Sequence, residues 1–389
     1  MSEVRPRVLV VIGTRPEGIK LAPVIAALRA RAEVETRIAL TGQHTDLLEQ
    51  VLQVFAVEPD WDLGIMREGQ DLYDVAHGCL DGLRRVHAEY RPELVLVQGD
   101  TATVCFAGLV SFFERGRVGH VEAGLRSGDR WQPYPEEIFR RLTGVLSDLH
   151  FAPTAWARNN LLREGVDPAT VHLTGNPVVD ALQAISARPH DVRAAALQQA
   201  LATGHRLVLV TAHRRESFGA PLREAFGALR ALADEHDDVV LLYPVHPNPN
   251  VRGPATELLG DHPRILLAPP IDYLDLLHAL RHATLAITDS GGIQEEAPSF
   301  GVPTLVLREV TERPEGVDAG VTTLVGTDRN RILTAARRLL GDPDAHARIA
   351  AVRNPYGDGR AGERIADIVV HTLAGAARRT ADWEPEGPA

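Results

Sequence analysis

The chain has 389 residues, of which 44% are hydrophobic and 24% charged, a composition typical of folded rather than disordered proteins. Its length favours two domains, because typical domains hold about 100–200 residues. The 41 basic and 52 acidic residues give a net charge of -11, which argues against a protein that binds nucleic acid or anionic lipid through a basic surface.

The N-terminal apolar run is too short for a signal peptide or a membrane span, so we expect a cytoplasmic protein without a membrane partner. Cys79 and Cys105 are the only cysteines, and both lie in apolar segments. This pattern excludes a disulfide framework and predicts two buried, inert thiols. Lys20 is the only lysine in a chain rich in arginine.

In the first half of the chain, short apolar segments alternate with segments of helical periodicity. Residues 7–12 read RVLVVI and end at Gly13, and residues 16–29 then carry apolar side chains at helical spacing. The repeated alternation predicts a parallel, doubly wound sheet with helices on both faces. The predicted strands are 7–12, 36–40, 94–98, 118–121 and 150–152, and the predicted helices are 16–29, 46–55, 71–90, 101–114, 136–147 and 154–164.

The alternation restarts after a polar, Ala-rich helical stretch at residues 180–202. We therefore expect an α/β fold of two doubly wound, Rossmann-like domains that face each other across a cleft, with ligands at the carboxyl ends of the strands. The expected bounds are 1–175, 176–362, and 363–389 for a last helix and tail that pack back on the N-terminal domain. The predicted strands are 207–210, 239–243, 265–267, 285–288 and 304–306, and the predicted helices are 221–235, 273–282, 294–300, 331–340, 344–351 and 363–379.

Two loops of the first half carry residues suited to anion or proton chemistry, each directly after a predicted strand. The segment GTRPEGIK places Gly13 and Arg15 at a helix N-terminus, where backbone N–H groups, the helix dipole and the guanidinium favour an anion. A plain turn with a surface Arg–Glu pair is the alternative. In the second loop, Gly99 permits close approach, and Asp100 either points into the cleft or caps the next helix.

A third group of charged residues follows strand 118–121. Glu122 comes directly after the strand, and Glu136 and Glu137 lie in the first turn of the next predicted helix. These carboxylates could transfer protons, although carboxylates in a first turn also suit the helix dipole. Arg140 lies four residues after Glu136, a spacing that also permits an ordinary helical ion pair.

Two loops of the second half suggest phosphate binding. His213 follows strand 207–210 and precedes two arginines, and an imidazole there can contact phosphate or move a proton near neutral pH. Residues 288–298, TDSGGIQEEAP, read strand, Ser-Gly-Gly turn and helix, whose N–H groups could hold phosphate oxygens. A surface loop and a tight, capped turn are the alternatives. No HExxH, CxxC, EF-hand or GxSxG pattern is present, so neither a metal site nor a serine hydrolase is predicted.

Taken in order, these segments resemble the non-hydrolysing UDP-N-acetylglucosamine 2-epimerases of bacteria over almost the whole chain. The resemblance implies a fold of the glycosyltransferase-B type, a homodimer, and reversible interconversion of UDP-GlcNAc and UDP-ManNAc through UDP release, with no cofactor. The motifs that carry it are GTRPEGIK (13–20), TGQH (41–44), QGDT (98–101), HVEAGLRSGD (120–129), PYPEE (133–137), TAHRRES (211–217), PVHPNP (244–249), TDSGGIQEEAP (288–298), TERPE (311–315), LVGT (324–327) and NPYGDG (354–359).

The chemistry attributed to that family requires acid and base groups near both faces of the sugar. UDP leaves C1 while C2 loses its proton, which gives a bound 2-acetamidoglucal; UDP then returns to C1 as a proton reaches the opposite face of C2. The resemblance implies that Asp100, Glu122 and Glu136 serve proton transfer or stabilise oxocarbenium character, without assigning a carboxylate to a face. It implies that His213 aids the diphosphate or a proton. The implied contacts of UDP and sugar are Arg15, Lys20, Arg140, Ser290, Gly291, Gly292, Glu296 and Arg313.

Two features of the resemblance bear on regulation and specificity. Gln43, His44 and His246 resemble the region where some relatives bind a second UDP-GlcNAc as activator, but Asp46 and Gly69 differ from the regulated relatives, which leaves activation open. Phe139 stands where the family commonly has Asn, which leaves the substrate's fine structure open. The alternative functions are an epimerase of a modified UDP-sugar, a hydrolysing epimerase that releases ManNAc, a glycosyltransferase of the same fold, and a catalytically silent sugar-nucleotide-binding protein.

Overall fold

The computed structural model describes residues 5–42, 46–65, 67, 69–186 and 188–384. The chain forms two compact units, which we call unit 1 (Met1–Ile185 with Tyr356–Ala389) and unit 2 (Ser186–Pro355). Among the described residues, no helix is long and apolar enough to span a bilayer.

All strands of the described residues lie in two sheets. The strands are β1 (Arg7–Ile12), β2 (Glu35–Leu40), β3 (Trp61–Asp62), β4 (Leu94–Gln98), β5 (Arg117–Val121), β6 (Leu149–Ala152), β7 (Val171–Leu173), β8 (Arg206–Thr211), β9 (Val239–Pro244), β10 (Ile265–Ala268), β11 (Ala283–Thr288), β12 (Thr304–Val306) and β13 (Thr322–Leu324).

Helices separate most of these strands, and short 3-10 turns lie at residues 168–170, 215–217 and 297–300. The helices are α1 (Arg15–Arg29), α2 (Asp46–Val54), α3 (Leu72–Tyr90), α4 (Ala102–Phe113), α5 (Glu136–Leu146), α6 (Ala155–Arg163), α7 (Pro177–Ser186), α8 (Ala195–Ala202), α9 (Ala220–Glu235), α10 (Pro249–Leu259), α11 (Tyr273–His282), α12 (Gly291–Glu296), α13 (Pro314–Asp318), α14 (Arg329–Gly341), α15 (Pro343–Ala350) and α16 (Ala361–Ala374).

Both sheets are parallel and doubly wound, which confirms the predicted fold class. The sheet of unit 1 has the order β3-β2-β1-β4-β5-β6-β7, and that of unit 2 the order β10-β9-β8-β11-β12-β13. The strand order therefore reverses between β1 and β4 and between β8 and β11, the points at which such sheets bind ligands beyond the carboxyl ends of their strands. The central strands are buried because helices cover both faces, and their near-continuous Val, Ile and Leu runs follow from that burial.

The boundaries of the units differ from the predicted domain boundaries at 175/176 and 362/363. Unit 1 includes α7 and the segment before α16, because these two pieces bond to each other. The Asn176 backbone N–H donates to the Tyr356 carbonyl at 2.8 Å, and the Asp180 carboxylate accepts from the backbone N–H groups of Ala361 and Gly362 at 3.2 and 2.8 Å. Helix α16 packs against α1 and joins the core of unit 1.

Several elements differ from the predictions for local reasons. The predicted helix at 180–202 is two helices, α7 and α8, with Pro189 in the segment between them. The last helix ends at Ala374 rather than residue 379, because Gly375 takes the left-handed conformation that terminates helices, with φ of 67°. The sequence analysis did not identify three short strands, β3, β7 and β13, or the helices α10 and α13, each of which begins with a proline.

The two cysteines match the prediction. Cys79 and Cys105 are buried and unpaired. Burial raises the pKa of both thiols to about 11, so neither is a reactive thiolate at neutral pH.

Candidate functional site

Glu122 is the centre of a polar cluster in unit 1, at the carboxyl end of β5. Its carboxylate accepts hydrogen bonds from the Lys20 ammonium, the Gln98 amide and, at 2.9 Å, the Asn176 amide. The residue is only 5% exposed. Three N–H donors, one of them the Lys20 ammonium, favour the ionised form of a carboxyl group, which has acceptors only. Its φ of 64° lies in the left-handed region, an uncommon conformation for a residue other than glycine and one found at functional sites.

A second ion pair of unit 1 links the loop after β4 to α5. The Asp100 carboxylate accepts from the Arg140 guanidinium, which also donates to Glu137 at 3.2 Å. Arg140 is 3% exposed, whereas the Asp100 side chain keeps 28% of its surface exposed. Thr101 caps α4, since its hydroxyl accepts from the backbone N–H of Val104. Asp100 is therefore not the helix cap that the sequence also allowed.

Glu136 and Phe139 lie in the first turns of α5. Glu136 is half-buried, and its Oε2 atom is shielded from solvent. The Phe139 ring packs edge-on against Phe106 of α4, with ring centroids 6.0 Å apart. The aromatic side chain at this position is thus part of the packing between two helices of unit 1.

Glu17 organises the loop after β1, and the sequence did not single it out. Its buried carboxylate accepts from the backbone N–H groups of Gly13 at 2.5 Å and Thr14 at 3.3 Å, and from the Thr101 hydroxyl at 2.8 Å. Burial outweighs these bonds and raises its pKa to about 7. Glu17 is therefore not half of a surface pair with Arg15, which begins α1 and is half-buried. The capping-box pattern from Thr14 to Glu17 was the available signal.

His120 supports the loop that carries Asp100. Its ring is fully buried in β5, and Nε2 donates to the Gly99 carbonyl at 2.7 Å. Burial lowers its pKa to about 3, so the ring is neutral at pH 7. A neutral imidazole fixes the backbone one residue before Asp100 without adding a charge to the cluster.

Asp289 organises the loops after β8 and β11 in unit 2. One of its carboxylate oxygens accepts from the backbone N–H groups of His213 at 2.6 Å and Arg214 at 2.7 Å, and the other lies 3.3 Å from His213 Nδ1. The His213 ring stacks on His246 with centroids 5.6 Å apart and planes at 16°. Burial lowers the pKa of His213, and the Asp289 carboxylate opposes this effect.

The Ser-Gly-Gly turn after β11 packs against an arginine. A Cβ built on Gly291 would lie 2.6 Å from Arg313 Nη1 and 2.7 Å from its Cζ, so only glycine allows this approach. Arg313, 9% exposed, donates to Glu295 at 2.6 Å and to Glu312 at 2.7 Å. Glu312 also accepts from Arg308 at 2.8 Å. The predicted ligand contact Arg313 thus lies in a buried ion network that supports the turn.

Glu296 ends α12 near the same turn. It is 6% exposed and accepts from the Tyr273 hydroxyl at 3.0 Å. A Cβ built on Gly292 would lie 3.7 Å from Ser290 Oγ and 4.0 Å from Glu296 Oε1, so these three residues share one surface of the turn. Backbone donors at a helix start with a carboxylate beside them can bind a phosphate and a sugar hydroxyl.

The structure brings together many of the predicted residues, each group within its own unit. Glu122 lies with Lys20, and Asp100 with Arg140, in unit 1. His213 lies with His246 in unit 2. Gln43 and His44 lie outside the described residues. Several residues that support these groups were not identified from the sequence. Most of them directly follow a strand or fall inside one of the quoted motifs, and these positions could have indicated them. They are Glu17, Gln98, Asn176, Tyr273, Asp289, Glu295 and Glu312.

The fold defines a doubly wound α/β protein with two polar clusters. The Glu122 cluster lies at the carboxyl ends of the strands in unit 1, and in unit 2 the Ser-Gly-Gly turn after β11 has the form of an anion-binding loop. A family model described as UDP-N-acetylglucosamine 2-epimerase matches residues 26–370. The chain belongs to this family.

Individual relatives extend the match over nearly the whole chain. UDP-N-acetylglucosamine 2-epimerase of Yersinia pestis is 48% identical over 364 residues, which cover 92% of this chain and 97% of the relative. The solved structure of S. aureus MnaA with UDP has a TM-score of 0.91 and 41% identity, covering 97% of this chain and all of that one. The Neisseria meningitidis UDP-GlcNAc 2-epimerase bound to UDP-GlcNAc has a TM-score of 0.88 and 39% identity, covering 95% and 100%.

Proposed function

We propose that this chain interconverts UDP-GlcNAc and UDP-ManNAc without hydrolysis. The observation that carries the proposal is the Glu122 cluster, in which a lysine and two amides hold a buried carboxylate at the switch point of a doubly wound sheet. Membership of the UDP-N-acetylglucosamine 2-epimerase family supplies the substrate. A carboxyl group held in one position by its neighbours is suited to proton transfer, which is the step that inversion at C2 needs.

The proposed reaction is an elimination followed by a re-addition. One carboxylate among Asp100, Glu122 and Glu136 takes the C2 proton, the C2–H electrons form a C1–C2 double bond, and the C1–O bond breaks so that UDP leaves with its electron pair. UDP then attacks C1 of the glucal, and a second carboxylic acid of the set delivers a proton to the opposite face of C2. No redox partner is needed, because no net electrons are exchanged.

The roles proposed for unit 2 are binding and stabilisation of the leaving group. The backbone N–H groups at Ser290, Gly291 and Gly292 would hold the diphosphate. Glu296 would accept from ribose hydroxyls. His213 would contact the diphosphate or exchange a proton with it. Arg313 would act by holding the turn through Glu295 and Glu312.

The test is proton NMR of the purified chain with UDP-GlcNAc in deuterium oxide. We expect UDP-ManNAc to appear, with deuterium at C2 in both sugars, because each passage through the glucal exchanges the C2 hydrogen with solvent. The Glu122→Gln variant serves as the control for enzyme-dependent exchange. Free ManNAc would show a hydrolysing epimerase instead, and an unchanged spectrum would contradict the proposed substrate.

We also propose that the chain acts as a homodimer. Helices α4 and α5 pack together and expose four large apolar side chains: Phe112 (60%), Phe113 (64%), Leu142 (48%) and Val145 (85%). Apolar patches of this kind mark protein interfaces. Light scattering after size exclusion should give twice the chain mass, and the double variant Phe113→Ser with Val145→Asp should give the chain mass. A wild-type monomer would contradict the proposal.

A further inference from the structure

The buried carboxylate of Asp289 and the imidazole ring of His213 are held next to each other in unit 2. The two residues follow neighbouring strands, β11 and β8, and the Asp289 backbone N–H donates to the Thr211 carbonyl at 3.0 Å. The Asp289 side chain is 1% exposed, whereas the His213 side chain keeps 39% of its surface exposed. The imidazole therefore meets a fixed carboxylate, and part of its surface stays accessible to a ligand.

The two carboxylate oxygens of Asp289 have different surroundings. Oδ2 accepts from the backbone N–H groups of His213 at 2.6 Å and Arg214 at 2.7 Å, and these bonds hold the loop after β8. Oδ1 is shielded from solvent, and no hydrogen bond of good geometry reaches it from the described residues. His213 Nδ1 lies 3.3 Å from it. A buried carboxylate oxygen without a donor costs free energy, so this arrangement favours a proton on Nδ1.

Three further side chains act on the charge of the His213 ring. His246 stacks on the ring, Arg214 is the next residue in the chain, and Glu216 lies in the short 3-10 turn that follows. Burial lowers the pKa of His213, Arg214 and His246 lower it further, and the carboxylates of Asp289 and Glu216 oppose this effect. The ring is therefore neutral over a wider pH range than a free histidine. The position of its single proton decides which nitrogen can accept another.

We infer that Asp289 is a positioning residue that keeps the His213 proton on Nδ1 and leaves Nε2 to exchange a proton with the leaving diphosphate. The inference rests on the proposed epimerase reaction. The negative charge of a diphosphate favours uptake of a proton from solvent at Nε2, and the Asp289 carboxylate balances the imidazolium that forms. Nε2–H then gives its proton to a diphosphate oxygen as the C1–O bond breaks, and the N–H electron pair stays on the ring. The return of UDP to C1 reverses the transfer.

The substitution Asp289→Asn separates the position of the proton from the structure of the loop. The amide oxygen can keep both bonds to the backbone N–H groups, whereas the NH₂ group takes the place of Oδ1 and donates towards His213 Nδ1. The ring must then carry its proton on Nε2 and has no lone pair there to take up another. In a Ser-His-Asp triad, the same exchange lowers turnover about 10⁴-fold through the wrong tautomer.

The direct test is a nitrogen–proton correlation spectrum of the full-length chain, labelled in its histidine rings and recorded above neutral pH. The His213→Gln variant assigns the His213 signals. We expect the wild type to carry the His213 proton on Nδ1 and Asp289→Asn to carry it on Nε2. A wild-type proton on Nε2 would overturn the inference. Because the spectrum does not depend on turnover, this outcome is distinct from failure of the proposed reaction, which the deuterium-exchange experiment detects.

The rates of single and double variants test whether Asp289 acts through His213. We expect Asp289→Asn to lower turnover about 10- to 100-fold, less than in a triad because a diphosphate leaves more readily than an amine. UDP affinity should change little, since Nε2–H can still donate to a phosphate oxygen. The double variant with His213→Gln should be no slower than His213→Gln alone. A further loss in the double variant, or wild-type turnover in Asp289→Asn, would overturn the inference.

A matched control is Asp275→Asn in the same unit. The Asp275 carboxylate is also 1% exposed, and it accepts from the His190 ring at 2.6 Å and from two consecutive backbone N–H groups. It has the same kinds of partner as Asp289 but lies outside the loops after β8 and β11. We expect wild-type turnover, and circular dichroism checks that both variants are folded. A loss equal to that of Asp289→Asn would overturn the inference, because any buried pair of histidine and carboxylate would then have the same effect.

Discussion

The two polar clusters of this chain are built in different ways. In unit 1, side chains from three separate segments (α1, the end of β4 and the residue before α7) converge on the Glu122 carboxylate, so charge lies at the centre of the cluster. In unit 2, the centre is the backbone of a Ser-Gly-Gly turn, and the charged side chains of Arg313, Glu295 and Glu312 lie buried around it. In the proposed mechanism, the first arrangement would hold a proton acceptor, whereas the second would hold hydrogen-bond donors for the diphosphate.

This difference predicts two kinds of sensitivity to substitution. A change at the charged centre of unit 1 should reduce turnover and leave nucleotide affinity intact, because the acceptor is lost while the pocket keeps its shape. A change at the turn of unit 2 should reduce nucleotide affinity first, because the donors are displaced.

The largest effect is expected for Glu122→Gln. The amide has nearly the shape of the carboxylate but cannot take a proton, so we expect turnover to fall by about 10²–10⁴ while UDP affinity stays the same. We expect the turnover of the Asp100→Asn and Glu136→Gln variants to fall by a factor in the same range. The measurements are the initial rate of C2 deuterium exchange and calorimetry with UDP.

The matched control for Glu122→Gln is Glu114→Gln, an exposed substitution at the end of α4 in the same unit. It should have wild-type turnover. Turnover near the wild-type value in Glu122→Gln would remove this residue from proton transfer. A parallel loss of UDP affinity would show that the cluster also shapes the nucleotide site, and the division between the units would fail.

The next effect is expected for Gly291→Ala in unit 2. A Cβ at this position would overlap the Arg313 guanidinium, so the turn or the buried network must move. Loss of one charge-assisted hydrogen bond, worth about 1.5–3 kcal/mol, would weaken UDP binding about 10- to 100-fold. Turnover at saturating substrate should change less than affinity. Calorimetry with UDP and the dependence of rate on substrate concentration measure both quantities.

Gly253→Ala, in α10 of unit 2, controls for the substitution itself. A Cβ at Gly253 meets no atom within 4 Å, so both affinity and rate should match the wild type. Unchanged UDP affinity in Gly291→Ala would show that the turn does not bind the diphosphate. Arg15→Ala offers a second readout of nucleotide binding, with weaker affinity expected from the lost positive charge.

A smaller effect is expected for Asn176→Asp, a change at the edge of the Glu122 cluster. The aspartate keeps the oxygen that accepts from the Val178 N–H at 3.1 Å and replaces only the amide group that donates to Glu122. Two adjacent carboxyl groups cannot both be ionised at low cost, so the pair holds a proton at neutral pH. We expect turnover to fall about 10-fold and to recover as pH rises.

The pH profile separates this effect from a loss of structure. In Asn176→Asp, the acidic limb of the turnover profile should move to higher pH, because the shared proton leaves only there. Asn176→Ser, which adds no charge, should leave that limb in place even if its rate is lower. A uniform loss of rate at every pH would show that Asn176 does not set the charge of Glu122.

The sequence predicted the alternation of strands and helices and the loops that carry the site, because parallel strands covered on both faces must be nearly continuous apolar runs. It also indicated Glu122, Asp100 and Ser290 by their positions directly after strands. It did not predict Asn176 as a partner of Glu122, since that contact joins segments 54 residues apart in the chain and depends on how α7 docks in unit 1.

The contacts of Arg313 could not be predicted from the sequence either. A motif match suggested a ligand contact, but the contact with Gly291 depends on the approach of two loops that are not adjacent in sequence. The same holds for Asp100, for which the local pattern allowed both a side chain directed at a ligand and a cap on the next helix. Local patterns identify the residue types available at a strand end, and packing decides which of them meet.

The smallest effect is expected for His120→Gln, a change behind the Asp100 loop that should alter stability rather than turnover. The pKa of His120 falls from about 6.5 when unfolded to about 3 in the fold, so the unfolded chain binds more protons between these values. The buried neutral ring therefore makes its full contribution to the free energy of unfolding above pH 6.5, and this contribution declines as the pH falls below that value. Glutamine does not titrate, and its amide can donate to the Gly99 carbonyl in place of Nε2.

We therefore expect the free energy of unfolding of the wild type to fall more steeply than that of His120→Gln below pH 6.5, by up to about 1.4 kcal/mol per pH unit. Urea unfolding of both proteins between pH 8 and 5 measures the two curves, which should run parallel above pH 7.5. Parallel curves over the whole range would mean that the ring gains a proton in the folded state, and a charged group would then lie beside Asp100. The comparison between the units would change in that case, because the proton acceptors of unit 1 would then share their surroundings with a second titrating group.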